Sequence, residues 1–128
     1  WLKAGHVVVL HPAGDISWVK DPTQPYPVDP KWYVGAALFA TRAQASVLPL
    51  FVHGKASRTY IKYKEKFPPL SAAAVIPQIN SQVGTTIRVE VGTLIKHSEY
   101  DEHAGLLTNL TEFFRKKVYK LSNATADF

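Results

Sequence analysis

Three side chains that could take part in acid–base or nucleophilic chemistry lie in one short stretch: His11, Asp15 and Ser17. A serine hydrolase uses the same residue types, but its triad members normally converge from separate elements of the fold. The G-x-S-x-G turn that carries the serine of α/β-hydrolases is also absent from the sequence. These residues therefore do not predict a serine hydrolase, and we assign no catalytic residue to the chain.

The remaining chemistry-bearing residues do not have the spacing of a metal site. His6 and His11 are an odd number of residues apart, so on one strand they would point to opposite faces. A second group alternates aromatic and basic side chains between residues 55 and 66, including Tyr60, Lys62, Tyr63 and Lys64. This pattern is typical of a solvated face, of a membrane interface or of a nucleic-acid surface. We expect no metal and no nucleic acid, and we keep the first two interpretations.

Composition indicates one folded domain over residues 1–128. The chain has 46% apolar residues, enough for a core at this length. It has no Cys, which excludes disulfides and thiolate ligands. The net charge of +5 attracts anions of several kinds, from a lipid surface to an acidic carrier protein. Since the sequence starts at Trp1 and has no Met, we expect the natural protein to extend upstream.

Hydrophobic patterns in the first half predict two strands and a helix. The β-branched run at residues 6–11 is typical of a strand buried on both faces of a parallel sheet. Asp29 and Pro30 then predict the N-cap and first residue of a helix that ends near residue 44. A second buried strand is predicted at residues 46–52. The right-handed βαβ rule makes these two strands parallel.

The second half predicts a helix at residues 71–82, interrupted by Pro77, and a strand at residues 85–91. A terminal helix is predicted to begin near Asp101, with one apolar face formed by Leu106, Leu107, Leu110, Phe113, Phe114 and Leu121. The predicted fold class is therefore α/β, with a mainly parallel sheet flanked by helices.

The stretch His11-Pro12-Ala13-Gly14-Asp15-Ile16-Ser17 resembles the third conserved block of the glycerolipid (lysophospholipid-type) acyltransferase superfamily. The match is to the form F-P-A-G-E-V-S of its hemolysin-like, ornithine-lipid branch. Further segments resemble this branch in the same order: an aromatic residue and glycine that open a helix at residues 32–36, the V-x-P-V block at 47–52, H-G-x-N-S at 53–58, I-G-T-x-V-R-V-R-V-G at 83–92, and the closing helix at 110–119.

The resemblance implies that the chain is the C-terminal, distal half of an acyltransferase domain. Such an enzyme transfers a fatty acyl chain from acyl carrier protein or acyl-CoA to a hydroxyl-bearing membrane lipid precursor, without a further cofactor. It would lie in the cytoplasm, peripheral on the inner face of the membrane. In this family an N-H-x-x-x-x-D motif supplies the histidine that acts as general base. That motif is absent here, so we expect this chain alone to be inactive.

The resemblance also places the third block at the wall of the acceptor pocket. The substrate-binding candidates are His11, Pro12, Gly14, Asp15 and Ser17, with Lys55 and Arg58 as anion contacts. Most members have Glu and Arg where this chain has Ala13 and Ile16, which argues against tight recognition of a phosphate. The alternative is a non-catalytic module of this fold that binds a lipid surface or acyl carrier protein. The acyltransferase assignment requires the strand at residues 6–11 to join the sheet formed by the other two.

Overall fold

The computed structural model describes residues 1–15, 17, 28–54, 60–61, 66–67 and 71–123. A 3-10 turn at Leu2–Ala4 is followed by helix α1 (Gly35–Ala43), strand β1 (Leu50–Val52), helix α2 (Ser71–Asn80), strand β2 (Val89–Val91), the one-turn helix α3 (His97–Tyr100), a 3-10 turn at Asp101–His103, and the long helix α4 (Leu107–Asn123).

The sheet contradicts the predicted fold class. In the described part of the chain it has two strands, and β1 pairs with β2 in antiparallel fashion, with Phe51 opposite Glu90. The prediction of a mainly parallel sheet flanked by helices is therefore wrong. The βαβ rule applies only when two consecutive strands share a sheet, and here the partner of β1 comes after it in the chain.

The run at residues 6–10 explains this error. It forms no strand with any described residue, and its side chains are exposed, with Val7 at 85% and Val9 at 72%. The prediction of a buried strand here is wrong. A β-branched composition favours an extended backbone. Burial of such a strand also needs a partner strand on either side, and the composition of the run does not show whether these partners exist.

The two-stranded ladder continues beyond β1 and β2 through a β-bulge. Val47 and Ile95 exchange two backbone hydrogen bonds of 2.8 Å, while Leu50 pairs with Val91. Between these pairings the second strand has one residue more than the first, so residues 92–94 hold an unpaired residue. The extra residue reverses the side-chain alternation, which is why Ile95 is 5% exposed and Leu94 is 48% exposed.

The core lies between α1, α4 and the inner face of the ladder. The residues that form it are Ala13, Trp32, Ala37, Ala40, Ile95, Tyr100, Leu110 and Phe114. Tyr100 is fully buried, and its hydroxyl donates to the carbonyl oxygen of Ala45 at 2.6 Å. Phe51 of β1 reaches α4, where its ring packs against Tyr119 at 6.0 Å.

The helices follow the predicted patterns: α2 begins at the predicted Ser71 and continues through Pro77, whereas α1 and α4 begin later than predicted. Helix α1 begins at Gly35, so Asp29 is not its N-cap. It ends at Ala43, where Gln44 adopts a left-handed conformation, and this end was predicted correctly. Helix α4 begins at Leu107, because residues 97–103 form two short turns instead. None of the described helices combines the length and the apolar character needed to cross a bilayer.

Burial of Tyr100 predicts a loss of stability in alkaline solution. Burial raises the pKa of its phenol, and the charge of Asp101 raises it further. The folded chain therefore keeps this proton where the unfolded chain releases it. The resulting stabilisation is complete below the ordinary tyrosine pKa of about 10 and is lost as the pH rises through the folded-state value.

Urea unfolding from neutral pH to about pH 11 checks this expectation. Tyr100→Phe should be less stable at neutral pH, because the Ala45 carbonyl loses its donor, and should lose less stability above pH 10. Tyr33→Phe, at an exposed tyrosine, should keep the full alkaline loss. An identical alkaline loss in Tyr100→Phe and in the unmodified chain would contradict the assignment.

Candidate functional site

Polar side chains from distant parts of the chain meet at Asp29. The hydroxyl of Ser17 donates to one carboxylate oxygen of Asp29, and the indole Nε1 of Trp32 donates to the other at 2.6 Å. Trp32 is buried in the core, whereas Ser17 and Asp29 are half-buried. The stretch before α1 is thus held to the core by hydrogen bonds to a carboxylate, which are stronger than bonds between neutral groups.

The backbone of Asp29 is bound by α4. Its N–H donates to the Tyr119 hydroxyl at 2.7 Å, and its carbonyl oxygen accepts from Arg115 Nη2 at 3.3 Å. Arg115 and Tyr119 are four residues apart and therefore neighbours on one face of the helix. We call Ser17, Asp29, Trp32, Arg115 and Tyr119 the Asp29 network. It joins the loop before α1 to the last helix of the described chain.

The two charged side chains of the network, Asp29 and Arg115, do not form an ion pair with each other. No described Lys or Arg forms an ion pair with the Asp29 carboxylate. Arg115 instead approaches the Glu112 carboxylate at 3.7 Å and lies over the Tyr119 ring at 5.5 Å. Its buried Nε has no hydrogen-bond partner among the described residues. Among the described residues, the Asp29 carboxylate is therefore bound by two neutral donors, Ser17 and Trp32.

Tyr119 keeps its proton at neutral pH. Burial is the main cause that raises the pKa of its phenol. The hydrogen bond from the Asp29 backbone acts in the opposite direction, while the charge of Asp29 raises the value again. A neutral phenol oxygen accepts the Asp29 N–H, so Tyr119 has a positioning role in the network.

The turn at residues 11–14 packs on the start of α1. The N–H of Gly14 donates to the His11 carbonyl at 3.0 Å, and Gly14 has a φ of 61°, in the left-handed region that favours glycine. The Tyr33 N–H donates to the Pro12 carbonyl at 2.9 Å, and Ala13 is buried in the core. The turn is therefore anchored by its backbone and by Ala13.

The structure brings only some of the predicted substrate-binding residues together. Ser17 belongs to the Asp29 network, and Pro12 is half-buried at the anchored turn. His11, Gly14 and Asp15 are exposed. Lys55 and Arg58, the predicted anion contacts, lie outside the described residues. Tyr60, one of the predicted interface aromatics, is buried.

A second polar group lies across the Phe51 ring from the network. Arg88 Nε contacts the Glu90 carboxylate at 2.7 Å, and His53 Nε2 lies 3.4 Å from the same oxygen. The His53 ring packs edge-on against Phe51 at 5.0 Å, and Phe51 in turn contacts Tyr119. The Nε2 of His53 is buried and has no hydrogen-bond partner among the described residues, and the Phe51 ring packs against both His53 and Tyr119.

Sequence reasoning missed Asp29, Tyr119 and Arg115 as members of one site. Asp29 was predicted as a helix cap because Pro30 follows it. Arg115 and Tyr119 could have been recognised from their positions on α4. They are a cation and a phenol four residues apart, beside the apolar stripe. The described residues contain no group of three or more side chains suited to hold a metal ion.

Asp29→Asn should destabilise the chain by about 1–3 kcal/mol. An amide offers one oxygen, so it can accept from Ser17 or from Trp32, and its NH₂ group then faces the other donor. Urea unfolding measures the loss. Asp101→Asn, at an exposed carboxylate 3.7 Å from His97, is the matched control and should stay within about 0.5 kcal/mol. Equal losses in the two variants would contradict the network.

No protein-family model matches the chain, and the comparisons with curated proteins and with solved structures likewise find no match. The acyltransferase resemblance accordingly rests on the sequence blocks.

Proposed function

We propose that this chain forms the acceptor side of an acyltransferase that moves a fatty acyl chain from acyl carrier protein or acyl-CoA to a hydroxyl of a membrane lipid precursor. The observation that supports this proposal is the Asp29 network. It links Ser17, in the block that resembles F-P-A-G-E-V-S, to Trp32 and to the closing helix α4. Three of the segments that resemble the acyltransferase blocks are thus joined to one another by hydrogen bonds.

The proposal does not include the parallel sheet that the resemblance implied. Residues 6–10 lie outside the ladder of β1 and β2, contrary to the requirement stated for the acyltransferase assignment. The proposal therefore depends on the turn, the Asp29 network and α4.

The contribution of this chain is binding and orientation. Acyl transfer needs a neutral imidazole within hydrogen-bond reach of the acceptor hydroxyl. His53 contacts Glu90 and Phe51, and the exposed His11 makes no described hydrogen bond to Ser17. We assign the base to neither of them. Ser17, held by Asp29, is the side chain we assign to the acceptor.

A second candidate is a non-catalytic module that binds a lipid surface or acyl carrier protein. It is favoured by the outer face of the ladder, where the paired residues Leu50 and Val91, and Val52 and Val89, are all exposed. Helix α4 adds an exposed basic row at Lys116, Lys117 and Lys120. Peripheral contact with an anionic membrane or an acidic carrier would use these two features.

A binding and turnover experiment separates the candidates. The whole chain is mixed with a monomeric lysolipid acceptor, with anionic vesicles or with acyl carrier protein, and Ser17→Ala is compared with the control Ser98→Ala, at an exposed serine. The acyltransferase proposal expects lysolipid binding that Ser17→Ala weakens about tenfold, the loss of one hydrogen bond to a charged group.

The other results are equally informative. Binding to vesicles or carrier with no dependence on Ser17, and no binding of lysolipid, would favour the non-catalytic module. Turnover of a labelled acyl donor by this chain alone would contradict the assignment of the base to residues outside it. Lysolipid binding that is equal in Ser17→Ala and Ser98→Ala would remove the acceptor site from the Asp29 network.

A further inference from the structure

We propose that two copies of this chain pack against each other through one face of the β1–β2 ladder, related by a two-fold axis. We call this surface the aliphatic face, and its residues are Leu48, Leu50, Val52, Ile87, Val89, Val91 and Leu94. The proposal goes beyond the proposed function, because it concerns assembly of the chain and uses no residue of the Asp29 network.

Strand pairing places the central members of the aliphatic face side by side. Leu50 is opposite Val91, and Val52 is opposite Val89. Successive side chains of a strand point to opposite faces, and Phe51, between the two members on β1, is buried and packs against α4. These four aliphatic side chains therefore lie on the side of the ladder that faces away from α4.

The aliphatic face continues past both ends of the paired strands. The His53 N–H donates to the Arg88 carbonyl at 2.9 Å, so the ladder and its alternation extend as far as Ile87. At the other end, Leu48 continues the alternation of the first strand, and Leu94 is exposed beyond the bulge. Each of the seven side chains is between 40% and 63% exposed. They form one continuous apolar surface.

The charged residues of the second strand occupy the opposite side of the ladder. Apolar and charged side chains alternate from Ile87 to Val91, and Arg88 contacts Glu90 at 2.7 Å on the inner side. An antiparallel strand with one buried face normally turns its apolar side chains to the core. Here the apolar set, with Val89 at its centre, faces outward instead. The strand is therefore patterned for a second apolar contact on its outer side.

The extent of the aliphatic face suits a contact between proteins. A contiguous apolar patch of more than a few hundred Å² is rare on a monomeric protein and indicates an interaction site. Two such faces with their rims would bury about 1,000 Å² in total, near the lower limit for a specific interface. We therefore expect a reversible dimer that forms at micromolar to sub-millimolar concentrations of the chain.

A second copy matches this face in its apolar character. None of the seven side chains has a polar group, so the partner must also offer an apolar surface. In a two-fold dimer the same patch serves on both copies. Two sheets pack face to face at a spacing of about 10 Å. The dimer would therefore have two ladders inside and one copy of α4 on each outer side.

The positive charge of α4 does not oppose this dimer. Because Tyr119 packs against Phe51 on the inner side of the ladder, the exposed row of Lys116, Lys117 and Lys120 lies on the far side from the aliphatic face. The two rows would be separated by several layers of about 10 Å each, well beyond the Debye length of about 8 Å at physiological ionic strength. A partner attracted by this row alone would leave the aliphatic face uncovered, whereas a second copy covers it.

Sedimentation velocity of the whole chain, from low micromolar to sub-millimolar concentration, tests the proposal. The mean mass should rise with concentration from one chain toward two. Val91→Lys places a charge in the contact and should weaken dimerisation at least about tenfold. Val7→Lys is the matched control, because this valine is 85% exposed and lies outside the aliphatic face. It should dimerise as the unmodified chain does. Added salt should leave the dimer in place or strengthen it, since apolar burial is not screened.

A milder variant keeps the test decisive if the lysine disturbs the fold. Val91→Thr keeps a β-branched side chain suited to a strand, and it should remain folded by circular dichroism and still weaken the dimer. A chain that stays monomeric at every concentration would overturn the proposal. So would equal dimerisation of Val91→Thr and the unmodified chain, or dissociation of the dimer at high salt.

Vesicles separate this dimer from the non-catalytic module, which would use the same face to bind lipid. The probe is a vesicle of phosphatidylcholine and phosphatidylglycerol. If it binds the unmodified chain but not Val91→Lys, and the chain without vesicles stays monomeric, the face belongs to the lipid contact and the dimer is wrong. Lysolipid binding that depends on Ser17 is measured apart from dimerisation, so the failure of one proposal does not imply the failure of the other.

Discussion

Leu110→Ala is expected to lower the free energy of unfolding by about 2–5 kcal/mol. Leu110 is fully buried on α4, within the core cluster that includes Ala37, Ile95 and Phe114. Truncation removes methyl groups that the core cannot replace, because α1 and the ladder confine the site, and a cavity remains. Urea unfolding followed by tryptophan fluorescence measures the change, with a constant slope taken as evidence for two-state behaviour.

Leu106→Ala is the matched control for this substitution. It removes the same atoms from a leucine one turn earlier, just before α4 begins, where the side chain is 56% exposed. Its effect should stay within about 0.5 kcal/mol. If both variants lost the same stability, or if Leu106→Ala lost more, the face of α4 assigned to the core would be wrong.

Gly92→Ala is expected to cost about 1–3 kcal/mol, although it adds a single methyl group. A Cβ at this position would lie 2.8 Å from Cγ of Pro49 and 3.3 Å from both Cδ atoms of Leu121. The proline ring cannot rotate away, and the Gly92 N–H is bonded to the Pro49 carbonyl at 2.9 Å. Relief of the contact must therefore move the strands apart or displace α4 from the ladder.

The same substitution at Gly35 should act in the opposite direction. Gly35 opens α1, and a Cβ there would meet no atom within 4 Å. Alanine is the better helix former, so Gly35→Ala should leave stability unchanged or raise it by up to about 1 kcal/mol. Thermal or urea unfolding of the two variants gives the comparison. A neutral Gly92→Ala would contradict the approach of Pro49 and Leu121 to the ladder.

The helices could be predicted from the sequence because their signals are local. Leu110 and Phe114 lie four residues apart on the apolar stripe of α4, and both are buried as predicted. The start of α2 was predicted correctly, whereas the starts of α1 and α4 were wrong by several residues. Pro30 and Asp101 are both residue types that favour the first turn of a helix. The stretch before α1 is instead held by the Asp29 network, and Asp101 begins a 3-10 turn.

The sheet could not be predicted in the same way, because strand pairing is not local. The runs at residues 6–11 and 46–52 have similar compositions, yet only the second has a partner in the described chain. A β-branched run reports an extended backbone and leaves the neighbour and the direction open. The antiparallel pairing of β1 with β2 joins residues about forty positions apart, a separation that no short-range pattern encodes.

The site was partly predicted, and the reason for the missing part is again distance along the chain. Ser17 was found from its residue type within a recognisable block. Asp29 was given a capping role, but its carboxylate binds Ser17 and Trp32, and its backbone binds α4 about ninety residues later. Two hydrogen bonds accepted by the Asp29 carboxylate stabilise the fold more than a helix cap would, because a cap accepts from one backbone N–H.

The bulge at residues 92–94 gives the end of the ladder one residue that it can lose without a change of partner. Deleting Thr93 would remove the extra residue, so that Ile95 would follow Val91 by three positions and would still pair with Val47, which precedes Leu50 by three. Ile95 would keep the inward position, and Leu94 would stay on the outer face. A single lost codon at this point would consequently straighten the ladder and leave the same aliphatic residue in place to support α3 and α4.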